Sequence, residues 1–504
     1  MAMDEQNIET PRKSESPRPA PSSDAPQVER LPRAVQVIES TQTGLTALTL
    51  AFVFRAFLVE AFIIPTGSMA HSLLGAHLTQ TCPACGWEYD CAPGRDTLCP
   101  NCHLRGEIPG EQVPLKAGDR ILVHKWPCVL GGPVGLRRWD VLVFRNPSDP
   151  TENYIKRLIG LPGETVEIVD GDIYVDGRIA RKTPAAQSAL WLVVFDQDHP
   201  PHPQVHPGAQ PCWRAEQPAD GSSPGWSGLR TRVVRYEGLD DQSRAIRFEP
   251  DDRQYFQDVY AYNSGPSRNH APLVGDLRML AEFTPLAGDG ECRWEITRDG
   301  VCFAATIRHD GAVSLEMGTE GRPGDRRVVK QGRLRPLRAG RPHVVEFAHL
   351  DYRVYLKVDG RDVVWTSDND YHPDLETLRR FSRSEPVELR IVARALALEL
   401  RGLRVDRDVY YTYRPEHTKR AYPGHLFVLG AGEYFVLGDN SPDSCDSREW
   451  VERGVHLPAD YRLGTVREDQ IVGTAAFVYL PGLLPLDGEG RWRLPDLGRV
   501  RFVR

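Results

Sequence analysis

The stretch LTALTLAFVFRAFLVEAFII, residues 45–64, constrains this chain more than any other feature. Its twenty residues are about the length that crosses the hydrocarbon core of a bilayer, and it holds two charges, Arg55 and Glu60. Charges inside lipid are costly, so a buried amphipathic helix is the competing reading. A cleaved signal peptide fits poorly, because the stretch starts at residue 45 and no small-x-small site precedes the charge. Residues 1–34, rich in Pro, Ser, Glu and Arg, have too few apolar groups to order themselves. Their cations Arg12, Lys13, Arg18, Arg30 and Arg33 favour a cytoplasmic N-terminus. The expectation is a disordered cytoplasmic tail over 1–34 and a signal-anchor transmembrane helix over 35–64. Everything after Ile64 then lies on the outer face of a cytoplasmic (inner) membrane that the chain crosses once.

Beyond Pro65 the texture is that of strands. Short apolar runs such as 121–126, 141–144 and 165–177 are bounded by Gly, Pro and Asp, and Asp170-Gly171 and Asp176-Gly177 read as hairpin turns. Residues 196–275 are rich in Pro, Gly, Asp and Ser, and after them strand-like runs recur about every ten residues to residue 405. With 504 residues the chain is too long for one core. A net charge of −7 and the lack of any basic, aromatic-laced block argue against nucleic acid as a partner. The fold class is therefore mainly β, with one N-terminal helix.

Four ordered segments carry the chemistry: Pro65-Thr66-Gly67-Ser68-Met69, Gly118-Asp119-Arg120, Tyr154-Ile155-Lys156-Arg157 running into Gly160-Leu161-Pro162-Gly163, and Gly438-Asp439-Asn440-Ser441 through Ser444-Cys445-Asp446-Ser447-Arg448. A serine hydroxyl needs a base within reach, and a lysine amine is a base only when burial lowers its pKa by several units from about 10.4. Lys156 is flanked by Ile155, Leu158 and Ile159, which makes that desolvation plausible. Together the four segments resemble the bacterial type I signal peptidases, Ser-Lys dyad serine proteases of the S26 family. The resemblance covers about residues 35–190 and 409–504. It implies Ser68 as nucleophile, Lys156 as general base, Ser444 as the hydroxyl that orients the lysine, and the Ser68 N–H with the Thr66 hydroxyl as oxyanion donors. It also implies supporting roles for Asp439, Asn440, Asp446, Arg448 and Arg157, and a shallow apolar pocket for small residues lined by Phe62, Ile64, Leu73 and Ile155. Where the family commonly has x-Pro-Thr-Leu after the nucleophile, this chain has Ala70-His71-Ser72-Leu73, which puts substrate register in question.

Five of the ten cysteines fall between Cys82 and Cys102. Cys82-Pro-Ala-Cys85 and Cys99-Pro-Asn-Cys102 form two knuckles with thirteen residues between them, a zinc-ribbon spacing offering four thiolates to a structural ion. Two disulfides are the alternative, since an outward-facing domain is oxidised. Cys91 is left over, and Cys292 with Cys302 reads as a cross-strand pair.

The domain reading is a peptidase core of β-barrel type over 65–190 and 409–504, a zinc-ribbon-like insert over 80–104, and a jelly-roll β-sandwich insert over 191–408. Residues 343–363 of that insert resemble strands of concanavalin-like or laminin-G-like domains, which implies a fold and leaves a carbohydrate or protein ligand open. The functional expectation is a membrane-bound endopeptidase that cleaves preprotein signal peptides at small-x-small sites, with no catalytic cofactor and the lipid bilayer as its setting. Its rivals are a membrane-anchored binding protein in which the sandwich is the working part, and a self-cleaving LexA-like regulator, against which no helix-turn-helix is visible. The sandwich is expected to be a separately folding module whose removal leaves the Ser68–Lys156 chemistry measurable.

Overall fold

The apolar stretch at 45–64 divides between two kinds of structure. In the computed structural model, which describes residues 33–106, 113–127, 135–250, 253–263, 271–381, 383, 385–485, 493–495 and 497–503, a helix runs from Arg33 to Phe57. The chain then becomes the strand Val59–Ile63, paired antiparallel with Arg120–His124. Val59, Ile63 and Ile64 are β-branched and Pro65 disfavours helix before it, so extended backbone wins here. Glu60, one of the two charges that are costly in lipid, meets Lys125 at 2.7 Å. The apolar part that stays helical, residues 45–57, is about 20 Å long against a hydrocarbon core of about 30 Å. Among the described residues no helix is long and apolar enough to cross a membrane. The expected helix over 35–64 is thus corrected to a helix followed by an edge strand, and residues 1–32 of the expected tail lie outside the described residues.

From Phe57 onward the chain forms one unit. Outside the inserted sandwich it holds an antiparallel sheet with the strand order Val59–Ile63, Arg120–His124, Ile471–Leu480, Val141–Arg145, Asn153–Gly160, Glu433–Leu437, Val466–Arg467, and Arg501–Phe502 beside Ile471–Leu480. Among the described residues this order is an open path, so the expected barrel does not close by strand pairing. Asn153–Gly160 lies between two neighbours and is buried from Ile155 onward. Successive strand residues face opposite ways, so Lys156 and Arg157 serve opposite faces of the sheet.

Four Asp-Gly pairs set hairpin registers. At Asp170-Gly171, Asp176-Gly177, Asp299-Gly300 and Asp359-Gly360 both residues have positive φ, as a type I′ turn requires. The Asp299-Gly300 turn pairs Arg298 with Val301, which places Cys292 opposite Ile307 and Cys302 opposite Thr297. Both thiols are free. The expected Cys292–Cys302 pair is therefore ruled out by register.

The inserted sheet closes over a large apolar core that includes Trp213, Trp294, Phe283, Phe303 and Phe347. Its two longest strands, Leu277–Arg298 and Glu388–Arg407, pair along nearly their whole length. Leu192 pairs with Arg407, so the chain enters and leaves the sandwich side by side. Buried ion pairs tie it to the core: Arg379 grips Glu167 through two bonds of 2.8 and 2.7 Å, Arg383 meets Asp170 at 2.6 Å, and Lys182 lies 2.5 Å from Asp351 and 2.7 Å from Asp408.

Candidate active site

The four segments converge on one place. Ser68 sits in the single 3-10 turn Gly67–Met69 that follows the Val59–Ile63 strand. That turn is held by Ala70 N–H donating to Gly67 O at 2.9 Å and Leu73 N–H to Met69 O at 2.9 Å. The second segment fastens it. Asp119 N–H donates to Leu74 O at 2.9 Å, the Asp119 carboxylate accepts from Leu74 N–H at 3.1 Å, and Ile64 N–H donates to Asp119 O at 2.9 Å.

Lys156 Nζ hydrogen-bonds Ser68 Oγ at 2.5 Å. The lysine is 4% exposed. Burial pushes its ammonium down to about 8, while the carboxylates of Asp446 and Asp439 hold it up and Arg448 pushes it further down. A neutral amine at this distance can accept the serine proton.

The fourth segment lies against the Ser68 loop. A Cβ on Gly438 would sit 2.2 Å from Ser444 Oγ and 2.5 Å from Ser68 O, so only glycine fits there. Ser444 is buried beside the dyad, yet its hydroxyl has no hydrogen-bond partner among the described residues, so the expected bond to Lys156 is not formed. Thr66 is exposed with extended backbone, and its hydroxyl does not cap the turn.

Two buried forks support the loop. Arg157 donates from Nε to Asp439 at 2.7 Å and from Nη2 at 2.6 Å, with both side chains fully buried. Arg448 grips Asp446 at 2.9 and 2.8 Å and reaches Ser441 Oγ and Thr412 O at 2.8 Å each. Asn440 donates its backbone N–H to Ser68 O at 3.1 Å and its side-chain amide to Gly67 O at 3.0 Å. Removing one member of a buried pair leaves an uncompensated charge. Asp439→Ala is therefore expected to lower unfolding free energy by about 3–5 kcal/mol, read from urea denaturation; a loss under about 1 kcal/mol would show that the fork does not hold the loop.

Phe62, Ile64, Leu73 and Ile155 share one apolar cluster with Met69, the neighbour of Ser68. Ile64, Leu73 and Ile155 are buried and Phe62 is half-buried. His71 turns away from them. Its Nε2 lies 3.0 Å from Ala189 O, and a carbonyl partner requires the proton on that nitrogen. Burial lowers the imidazole to about 4, so it is neutral, and Nδ1 is buried without a partner. It lines a cavity of about 260 Å³ with Trp87, Tyr89, Trp191, Tyr255 and Tyr260.

Sequence reasoning missed several contributors. Ser72 Oγ donates to Asp439 at 2.5 Å, and Ser447 Oγ accepts from Val436 N–H at 2.9 Å. Both lie within or next to the quoted segments, so proximity could have flagged them. Tyr260, Tyr262 and Asn263 come from the sandwich stretch read as loop, and no pattern marks them.

The cysteine cluster is compact. Cys82 Sγ lies 3.5 Å from Cys102 Sγ, and Cys85 Sγ lies 3.5 Å from Cys99 Sγ. All four sulfurs are within 4.8 Å of one another and buried. Thiolates at about 2.3 Å from a tetrahedral zinc ion stand about 3.8 Å apart, whereas a disulfide needs about 2.05 Å. Each knuckle closes with an N–H to the first cysteine's carbonyl, Gly86 to Cys82 at 2.9 Å and His103 to Cys99 at 3.0 Å. The donor set fits a closed, structural metal site. The other grouping of possible ligands, Asp172, Asp276 and Asp351, already has Arg298 on Asp276 and Lys182 on Asp351, each at 2.5 Å.

The family comparison covers three of the four segments and leaves out the first, residues 65–69, which carries Ser68. The family described as signal peptidase, peptidase S26, matches residues 108–192 and 392–480. Signal peptidase I of Pseudomonas fluorescens is 30% identical over 175 residues, 32% of this chain and 47% of that protein. Signal peptidase I of Pseudomonas aeruginosa is 30% identical over 162 residues, 30% of this chain and 42% of that protein. The chain thus spans less than half the length of these curated relatives. The resemblance to signal peptidases is borne out. The match from 392 begins inside the strand Glu388–Arg407, which folds with the sandwich. Among solved structures, a carbohydrate binding module from Bacillus subtilis aligns at 10% identity and a TM-score of 0.25, covering 40% of this chain and 97% of its own. At that score the likeness carries no argument.

Proposed function

We propose that this chain is a serine endopeptidase of the signal peptidase I type that cleaves preproteins after small residues. The observation that carries the reading is the 2.5 Å contact between a buried Lys156 and Ser68. In the acylation step the Ser68 hydroxyl gives its proton to neutral Lys156 Nζ, and Oγ forms a bond to the scissile carbonyl carbon. The resulting oxyanion is held by the Ser68 N–H and the Thr66 hydroxyl, worth about 2.7–4 kcal/mol for each donor. Lys156 then gives its proton to the departing amine as the C–N bond breaks. In deacylation a water surrenders a proton to Lys156, its oxygen attacks the ester, and Ser68 Oγ leaves with that proton. Arg157, Asp439, Asn440, Asp446 and Arg448 fix the geometry, and Ser444 stands ready to bond the lysine when substrate closes the site.

We propose that the apolar half of the helix Arg33–Phe57, residues 45–57, inserts into a bilayer as an anchor too short to span it alone, with the catalytic domain on the outer face. Leu45, Leu48, Leu50, Phe52 and Val53 are all exposed along its second half, and a contiguous exposed apolar stretch marks contact with lipid or a partner. Carbonate-resistant sedimentation with membranes supports this reading; release as a soluble protein contradicts it. Cys82, Cys85, Cys99 and Cys102 would hold a structural zinc ion, which supplies folding energy and no chemistry at the dyad. Purified protein is expected to carry one equivalent of zinc, lost in Cys99→Ser together with thermal stability. Metal-free protein with an unchanged melting curve would rule it out.

The direct test is processing of a preprotein with an Ala-x-Ala site in detergent. Wild type should release the mature product and Ser68→Ala should not; equal processing by both would end the reading.

A further inference from the structure

The segment 255–263 of the inserted sandwich reaches the nucleophile loop. Asn263 and Asn440 face each other amide to amide: Asn263 Nδ2 donates to Asn440 Oδ1 at 2.5 Å, and Asn440 Nδ2 donates to Asn263 Oδ1 at 2.7 Å. The same Asn440 amide holds Gly67 O at 3.0 Å, and its backbone N–H holds Ser68 O at 3.1 Å. Asn263 therefore fixes the orientation of the amide that holds both carbonyls flanking the nucleophile. Beside it, the Tyr262 ring lies so close to Gly67 that a Cβ there would sit 2.1 Å from the ring, and the Tyr262 hydroxyl donates to Ala76 O at 3.1 Å. Tyr260 OH donates to Asp439 O at 3.1 Å.

These contacts do not drift with a loose loop, because the segment is fastened at its other end. Asp258 meets Arg407 at 3.2 Å and accepts from the Thr412 hydroxyl, and Arg407 donates to Val259 O at 2.9 Å. Tyr255 stacks on His103 with centroids 3.7 Å apart and donates to Asn101 O at 2.9 Å, which ties the segment to the second cysteine knuckle. Asn263 is buried and so is Asn440. A buried amide left without its partner costs about 1–3 kcal/mol, so the reciprocal pair strongly favours one arrangement of the loop.

Resting on the dyad reading above, we propose that the inserted sandwich is a working part of the peptidase, with Asn263 a positioning residue that sets the Ser68 turn through Asn440. A displacement of about 1 Å at a reacting atom can cost about 100-fold in rate. The effect falls on the chemical step, since Asn263 touches neither the apolar cluster beneath the serine nor the predicted substrate residues.

The test uses the full chain in detergent, with Asn263→Ala, Asn263→Asp and Ser68→Ala beside wild type. Asn263→Asp keeps the volume but replaces a donor by an acceptor opposite Asn440 Oδ1. Steady-state hydrolysis of an Ala-x-Ala peptide and amide hydrogen exchange of residues 66–74 are measured on each. Both Asn263 variants are expected to lower kcat by about 10–100-fold with KM within about two-fold, and to raise exchange in 66–74 while the strand Leu277–Arg298 stays protected. A kcat and an exchange rate both at the wild-type level would overturn the proposal, as would exchange rising equally through the sandwich. If Ser68→Ala hydrolyses as fast as wild type, the dyad reading falls, and the exchange data alone still decide whether Asn263 orders the turn.

Discussion

Lys156→Arg is expected to reduce peptide hydrolysis at least 1,000-fold, to the level of Ser68→Ala, while leaving the protein folded. Both substitutions keep the sheet around Asn153–Gly160, but a guanidinium stays protonated at any usable pH and cannot take the serine proton. Loss of a nucleophile or its base costs catalysis on the scale of a whole mechanism and not of one contact. Lys156→Met separates charge from chemistry, because it removes a buried cation and should raise thermal stability while abolishing turnover. Hydrolysis by Lys156→Arg within ten-fold of wild type would remove Lys156 from the mechanism.

The second large effect concerns the sandwich. Residues at 191–408 read from sequence as a module that could be replaced by a short Gly/Ser linker with the chemistry intact, and the packing reverses that expectation. Excision removes Asn263 from Asn440, the Tyr262 ring from Gly67 and the Tyr260 hydroxyl from Asp439 O. It also strips Arg379 from Glu167, which is 1% exposed, and Asp351 from buried Lys182. Unpaired buried charges of this kind each cost several kcal/mol. The deletion is therefore expected to melt well below the full chain and to lose hydrolysis to the Ser68→Ala background. A deletion that remains folded and cleaves peptide at the wild-type rate would restore the sequence-based reading of a detachable module.

What could be read from the sequence followed local chemistry. The Asp-Gly turns at 170 and 176 report their own φ, because few residues tolerate the left-handed region and the two-residue hairpin demands it. Ser68 and Lys156 could be paired from the sequence because serine and lysine have little reason to recur in that order beside those glycines, and the fold brings them within 2.5 Å of each other. The cysteine knuckles were legible from spacing alone. The end of the helix was not, since an apolar run of twenty residues reads as a membrane helix, and its stretch Val59–Ile63 reads as an edge strand only once its pairing partner is known. Arg120–His124 decides that question from some sixty residues away. The role of 255–263 was hidden for a related reason. Tyr and Asn in a Pro- and Gly-rich stretch look like turn residues, and only the fold brings Asn263 against Asn440 across 177 positions. Ser444 marks the opposite case: the motif implies a bond to Lys156 that the resting site does not make.

The central claim is that burial makes Lys156 a base near neutral pH. A base must be neutral to act, so activity belongs to the deprotonated form and increases with pH. With the ammonium lowered to about 8 by burial, kcat/KM for an Ala-x-Ala peptide should rise about ten-fold per pH unit below that value and level off above it. His71, held near 4 by burial, has no titration in that window. The measurement is the pH–rate profile of wild type from pH 5 to about 10.5, with folding followed by circular dichroism at each point. A single ascending limb with a midpoint near 8 is the expected result. A flat profile, a midpoint near the 6.5 of an ordinary histidine, or a limb still rising at the 10.4 of an ordinary lysine would contradict it.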